Sequence, residues 1–282
     1  NDATTSATVT IEDTEPPSVD VNAEDIVVEC DGAGNLTQLN AWLDNNGGAS
    51  ATDMCGDVTW SNDFSTFSDD CGETGEATVV FTATDDCGNE STTAAIFTIE
   101  DTTPPVIDAI ADDETVECDG AGNAADLLGW LDSNGRASAS DLCGNIVWTN
   151  DFTALSDDCG ETGEATVVFT ATDDCGIEST TAATFTIEDA DDPTINVMAE
   201  DLVVECDGSG SPGELNAWLD SNGGASASEL CGDIVWTNDF VVLSDDCGGT
   251  GSATVIFTVT DDCGNESTTS ATFTVEDTTA PV

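Results

Sequence analysis

The sequence predicts a mainly β chain of three tandem β-sandwich domains, each carrying one short helix. Three observations carry that expectation: an 88-residue period, four cysteines in register in every copy, and alternating runs around Asp/Gly/Asn-rich turns. Glu-Asp recurs at Glu12-Asp13, Glu100-Asp101, Glu188-Asp189 and Glu276-Asp277, one period apart each time. A fixed period marks an array of like modules, and one this long suits a domain with its own small core. The frame divides the chain into 14–101, 102–189 and 190–277, preceded by 1–13 as the last strand of an earlier copy. Residues 278–282 begin another linker, so the chain reads as a window from a longer array.

The elements follow in order from the first copy. Asp25–Cys30 is a strand, and Leu36, Leu39, Trp42 and Leu43 then share one face of a helix. In the third copy, Ser211, Pro212 and Glu214 supply an N-cap, a proline at the first helical position and a capping-box glutamate. Asn45-Asn46-Gly47 ends the helix with residues that tolerate positive φ. Asp57–Phe64 is a second strand. Ala77–Thr84 alternates with Val79, Phe81 and Ala83 on one face, and Thr92–Ile99 with Ala95, Phe97 and Ile99. The Asp85–Asn89 turn between them makes a β-hairpin.

Composition narrows the function. With 59 acidic residues, one basic residue (Arg136) and no His, the net charge is −58. Self-repulsion of that size calls for bound counter-ions. It excludes nucleic acid and anionic membrane as partners, because both need Lys or Arg to displace counter-ions. No run approaches the ~20 apolar residues of a membrane span. Without His, Lys or Tyr, nucleophilic and general-base catalysis lack their usual groups, so no enzymatic activity is expected. Twelve cysteines spaced 25, 16 and 16 within each copy, rather than in Cys-x-x-Cys knuckles, point to disulfides in an oxidising compartment.

Several strings carry a resemblance: Cys-Gly-x-Val-x-Trp at 55–60, Asp-Asp-Cys-Gly-Asn at 85–89 and Glu-Asp-Thr-Thr-x-Pro at 100–105. Across 14–277 the chain resembles the HYR-like, immunoglobulin-like repeats of giant Bacteroidota surface proteins. Those include gliding-motility adhesins exported by type IX secretion. The resemblance implies immunoglobulin-like sandwiches, extracellular display and adhesion, and names no ligand. The helix with its Trp (36–44) departs from the immunoglobulin pattern.

Four cysteines per copy allow three connectivities. If Asp57–Phe64 and Ala77–Thr84 act as immunoglobulin strands C and F, Cys55 meets Cys87 at one pole and Cys30 meets Cys71 at the other. The favoured set is then Cys30–Cys71, Cys55–Cys87, Cys118–Cys159, Cys143–Cys175, Cys206–Cys247 and Cys231–Cys263. Cys30–Cys55 with Cys71–Cys87 stands second. On the same frame Trp60, Trp148 and Trp236 are core residues, while Trp42, Trp130 and Trp218 pin the helices.

The carboxylates are the candidate ligands. Calcium takes six to eight oxygens from neighbouring acidic side chains and carbonyls. Glu12, Asp13, Asp53, Asp85 and Asp86, with Asn89 and Glu90, gather at the pole where the linker arrives. Their equivalents are Glu100, Asp101, Asp141, Asp173 and Asp174, then Glu188, Asp189, Glu229, Asp261 and Asp262. The convergence resembles the interdomain calcium sites of cadherin-type repeats, with a plain solvated surface as the alternative. Ile177 replaces Asn89 and Asn265 in the second copy, so that side chain is dispensable. Asp31, Asp69 and Asp70 are candidates at the opposite pole, although 31–35 also reads as a plain turn. Asn35, Asn89 and Asn265 fit the N-glycosylation pattern, and Thr102 and Thr278 a Bacteroidota O-glycosylation pattern. The expected function is non-enzymatic: a disulfide-stapled, calcium-stiffened rod or filament of a cell-surface adhesin. Its partners are further copies of the repeat and a surface glycan or cell. A self-assembling matrix fibre or a glycan-binding array is the alternative.

Overall fold

The computed structural model describes residues 2–246 and 248–280. The chain is mainly β, and each copy folds as a β-sandwich with one short helix. The first copy comprises β1 (Ser18–Val21), β2 (Ile26–Glu29), α1 (Leu36–Asp44), β3 (Ser50–Thr52), β4 (Thr59–Asn62), β5 (Gly75–Thr84) and β6 (Glu90–Glu100). The second repeats them as β7 (Val106–Ala109), β8 (Glu114–Glu117), α2 (Ala124–Asp132), β9 (Ser138–Ser140), β10 (Val147–Asn150), β11 (Gly163–Thr172) and β12 (Glu178–Glu188). The third has β13 (Thr194–Val197), β14 (Leu202–Glu205), α3 (Pro212–Asp220), β15 (Ser226–Ser228), β16 (Ile234–Asn238), β17 (Gly251–Asp261) and β18 (Glu266–Glu276).

One sheet of each sandwich has four strands, in the orders β2-β6-β5-β4, β8-β12-β11-β10 and β14-β18-β17-β16. The other pairs β1 with β3, β7 with β9 and β13 with β15, each antiparallel with one register shift. β5 and β6 form the expected hairpin, Gly75 opposite Ile99 through Thr84 opposite Glu90. β2 runs parallel to β6, so both end at one pole, where Cys30 N–H donates to the Glu100 carbonyl at 2.8 Å. That direction places the pole residues.

Compactness cuts across the 88-residue frame. One unit holds Asn1–Ile110 with Ser138–Thr149 and Thr170–Thr181; the other holds Ala111–Ala137, Asn150–Phe169 and Ala182–Val282. The pole carrying Cys143 and Cys175 thus groups with the first repeat.

In the first unit the inward residues of β5 and β6 (Val79, Phe81, Ala95, Phe97, Ile99) build the core with Leu39 and Trp42 of α1. Trp42 packs edge-on against Phe81 at 5.2 Å and Phe97 at 5.4 Å, and its indole N–H donates to the Glu24 carbonyl at 3.1 Å. The other unit repeats this with Trp130 against Phe169 and Phe185, and Trp218 against Phe257 and Phe273. Trp60 and Trp236 are half-buried at the core margin.

One local expectation is corrected. Ser211 precedes α3 at φ 50° and makes no side-chain cap. Its hydroxyl donates instead to the Glu205 carbonyl at 3.2 Å, because a left-handed residue turns its side chain away from the helix N–H groups. Asn35 and Asn123 hold the equivalent left-handed position and donate to the Glu29 and Glu117 carbonyls at 2.8 and 2.9 Å. Residues 2–13, expected as the last strand of a preceding copy, pair with no strand among the described residues, and Val9 and Ile11 stand open to solvent. Their counterparts one period on, Phe97 and Ile99, are buried against β5.

Candidate functional site

Each junction is closed by two disulfides that reach from one repeat into the next. Cys30 pairs with Cys143 and Cys71 with Cys175 in the first unit; Cys118 pairs with Cys231 and Cys159 with Cys263 in the second. The Cα–Cα distances are 6.0, 5.0, 6.2 and 5.1 Å, within the usual disulfide range. The expected bridges Cys30–Cys71, Cys118–Cys159, Cys143–Cys175 and Cys231–Cys263 are therefore replaced. Cys55 and Cys87 are unpaired and exposed, and Cys206 is unpaired and half-buried. Cys247 of the expected Cys206–Cys247 bridge lies outside the described residues. The assignment of cysteines to poles is sound: β5 separates Cys71 from Cys87, and β2 delivers Cys30 to the Cys71 end. The repeats, however, are not closed units: at both junctions the pole of one repeat meets the opposite pole of the next.

Backbone contact makes this possible. At Gly72 (φ 55°) a Cβ would lie 1.8 Å from the Cys143 carbonyl oxygen, and at Gly160 (φ 58°) 2.3 Å from that of Cys231. Only glycine permits so close an approach. Glu73 N–H donates to the same Cys143 carbonyl at 3.1 Å.

The linker is fastened by residues that sequence reasoning missed. Glu29 accepts from Thr102 N–H, the Thr102 hydroxyl and the Thr103 hydroxyl, each at 2.8 Å. Those donors, the Thr102 N–H foremost, lower the Glu29 pKa. Glu205 holds Thr278 and Thr279 in the same manner. Glu117 receives only Ala190 N–H, at 2.8 Å, because Ala190 and Asp191 replace the two threonines. The recurring Val-Glu-Cys and Asp-Thr-Thr strings were the available signal.

Asp101 then sits among acids. One of its oxygens groups within 4.8 Å with Asp173, and with Asp141, beside Cys175 and Cys143. Those sulfurs are in disulfides, so only oxygens can serve as ligands. Asp173 is 6% exposed, yet its Oδ2 has no hydrogen-bond partner, and neither has Oδ2 of Asp101 or Asp189. An unpartnered buried carboxylate oxygen is costly unless a proton or cation meets it. Burial, then Asp141 and Asp173, push the Asp101 pKa up despite the Thr103 N–H. Burial and Asp261 do the same to Asp189, with Glu229 adding to it. A cavity of about 170 Å³ beside the Cys30–Cys143 bridge is lined by Asp101, Asp141, Thr103 and Leu142. That is room for an ion with several waters, each occupying about 30 Å³. Oxygen-only donors, high negative charge and open space suit a hard cation such as calcium.

The other candidate carboxylates divide by role. Asp13 groups with Asp53 and the free thiol of Cys55, an incomplete version of the same set. Asp85 and Asp261 are buried, but their Oδ2 atoms accept from Asn89 and Asn265 at 2.8 and 3.0 Å; Ile177 denies Asp173 that donor. Asp174 and Asp262 accept from Asn145 and Asp233 N–H at 2.8 and 2.9 Å, and Asp86 takes Asp57 N–H at 3.4 Å, each bracing a loop. Glu12, Glu100 and Glu188 are exposed and join no such group among the described residues. Asp31 Oδ1 accepts from Ala33 and Asn35 N–H, a plain turn.

Asn35 is fully buried with its amide donating to Glu29, so a glycan there is excluded sterically. The Asn89 and Asn265 amides donate to the Asp13 and Asp189 carbonyls. Thr102 and Thr278 are exposed, although both hydroxyls are engaged by Glu29 and Glu205. Arg136 pairs with Glu114.

No family model matches the chain, and no curated protein matches it. Among solved structures, the protocadherin GammaB4 extracellular domain is similar at 12% identity and TM-score 0.30 over 95% of this chain and 50% of that one. Drosophila N-cadherin EC1-4 is similar at 10% identity and TM-score 0.28, over 94% and 76%. The titin I-band fragment I67-I69 is similar at 8% identity and TM-score 0.31, over 94% and 100%. This chain spans half the length of the protocadherin it matches. At these levels the likeness carries no argument about function, which rests on the geometry of the junctions.

Proposed function

We propose that the chain is a non-enzymatic extracellular repeat region, divided into the three modules 14–101, 102–189 and 190–277, whose junctions bind calcium and transmit load along a surface adhesin. The observation that carries this reading is the orphaned, buried carboxylate oxygen at each junction, Asp101 with Asp173 in one and Asp189 in the other. Asp101, Asp141 and Asp173 would hold the first ion; Asp189, Glu229 and Asp261 would hold the second. Bound calcium supplies the positive charge that these groups lack within a chain of net charge −58.

Disulfides in every junction fit an oxidising, extracellular setting, and no helix among the described residues is long and apolar enough to cross a membrane. The HYR-like strings support a Bacteroidota cell-surface adhesin with partners of a glycan or cellular kind.

Thermal unfolding in EDTA and in millimolar calcium tests the reading. A ligand confined to the folded state at 100 times its Kd adds about 2.7 kcal/mol, a shift of several degrees. A melting temperature indifferent to calcium overturns it.

A further inference from the structure

The crossed disulfides give the chain a covalent route far shorter than its backbone. Cys30 bonds Cys143 across one junction, and Cys159 bonds Cys263 across the next. Only the 16-residue step from Cys143 to Cys159, which recurs in every copy, separates those two bridges. A pull applied before Cys30 and after Cys263 therefore runs through two disulfides and one short segment of the middle repeat. Everything else between Cys30 and Cys263, including α2 and the β11–β12 hairpin, lies outside that route.

The local structure of that segment suits a taut element. Residues 143–159 contain no helix, and β10 within them is extended. A strand rises about 3.3 Å per residue, near the limit of roughly 3.6 Å for any chain, so little stretch is left in it. The segment is also laced to β11. Asp151 N–H donates to the Val168 carbonyl at 3.3 Å, and Val168 N–H to Asp151 Oδ1 at 2.8 Å. Ser156 N–H donates to the Glu164 carbonyl, and Glu164 N–H to Ser156 Oγ, both at 2.8 Å. The next-shortest routes are slacker. Without Cys159–Cys263, tension must run back from Cys143 to Cys118 through α2, whose rise of about 1.5 Å per residue more than doubles on unwinding. Without Cys30–Cys143, it must first travel from Cys30 to Cys71 before crossing to Cys175.

We propose that the chain is a tether of limited length, in which tension passes along the Cys30–Cys143 bond, the 143–159 segment and the Cys159–Cys263 bond. An uncrossed copy unfolded by tension would release its whole 88-residue contour, about 300 Å. Here the bridges withhold that length even after the sandwiches open, so extension stops while the array stays connected. The proposal rests on the load-bearing reading above but not on its calcium, because the route is covalent throughout.

The test is optical-tweezers stretching of the 282-residue protein, held by peptide tags at its termini with its free thiols alkylated. The fully stretched oxidised molecule should be shorter than the reduced one by roughly 700 Å, a comparison that needs no variant. Cys30→Ser/Cys143→Ser should lengthen the oxidised molecule by about 140 Å, and Cys159→Ser/Cys263→Ser should do the same. Cys71→Ser/Cys175→Ser should leave its stretched length unchanged, because that bridge is off the shortest route. Equal lengths before and after reduction, a Cys71→Ser/Cys175→Ser molecule that lengthens, or a Cys30→Ser/Cys143→Ser molecule that does not, would each overturn the proposal. The two readings fail separately: a melting temperature indifferent to calcium with the limited extension intact sinks the calcium reading alone, and the reverse result sinks this one.

Discussion

The first and second junctions share their covalent frame and differ in their polar contacts. Both have two disulfides at the same separations, and both press a carbonyl onto a positive-φ glycine. Glu29, however, holds its linker through Thr102 and Thr103, whereas Glu117 holds only Ala190 N–H. Conversely, Asp261 is satisfied by Asn265, whereas Asp173 beside Ile177 is orphaned. The disulfides and glycines thus define a junction, and the side chains tune its linker grip and its demand for a cation independently.

Removing the shared part should have the largest effect. Reduction, or Cys71→Ser with Cys175→Ser, should cost about 2–5 kcal/mol per bridge and lower the melting temperature measured by calorimetry. If the first-junction double variant melts as the parent does, the disulfides are dispensable and the comparison fails. Next comes the pinning tryptophan: Trp218→Ala should destabilise by about 3–5 kcal/mol in chemical denaturation, because its ring fills the space between Phe257 and Phe273. Both junctions should keep their calcium response in that variant.

The pH dependence sharpens the polar contrast. Asp101 and Asp189 have pKa values raised from 3.8, so their favourable contribution is present below 3.8 and lost as pH rises through the folded value. Glu29 and Glu205 are lowered from 4.5, so theirs is present above 4.5 and lost as pH falls through the folded value. In EDTA, Asp101→Asn should therefore raise the melting temperature at pH 7 and leave little effect near pH 3. With calcium at pH 7 the same change should lower it. An equal shift with and without calcium would separate Asp101 from any ion. The smallest effect is expected of Ile177→Asn, which restores the missing donor to Asp173. It should add about 1 kcal/mol in EDTA and shrink the calcium response of the first junction. No gain in EDTA would mean that the orphan is satisfied by solvent.

Much of this was legible in the sequence. Alternation placed β5 and β6, and Leu39 and Trp42 placed α1, because both patterns are local. The poles of the cysteines also followed from strand direction. Their partners did not, because treating each copy as closed assumed that a pole has no neighbour. The separations of 113 and 104 are one period longer than the 25 and 16 visible within a copy. The second-ranked pairing, Cys30–Cys55 with Cys71–Cys87, therefore had the right cysteine types and the wrong copy. Ser211 misled for a different reason: its identity suits a cap, but its left-handed backbone points the hydroxyl elsewhere. The orphaned oxygens could not be foreseen, since orphanhood is a property of three-dimensional neighbours.

The crossed disulfides also make the molecule redundant against scission. A protease that severs the chain anywhere between Thr102 and Pro105 leaves the two fragments tied by Cys30–Cys143 and Cys71–Cys175. A cut between Ala190 and Pro193 is bridged likewise by Cys118–Cys231 and Cys159–Cys263. Each exposed linker, the natural weak point of a multidomain chain, is thereby a stretch whose loss parts nothing.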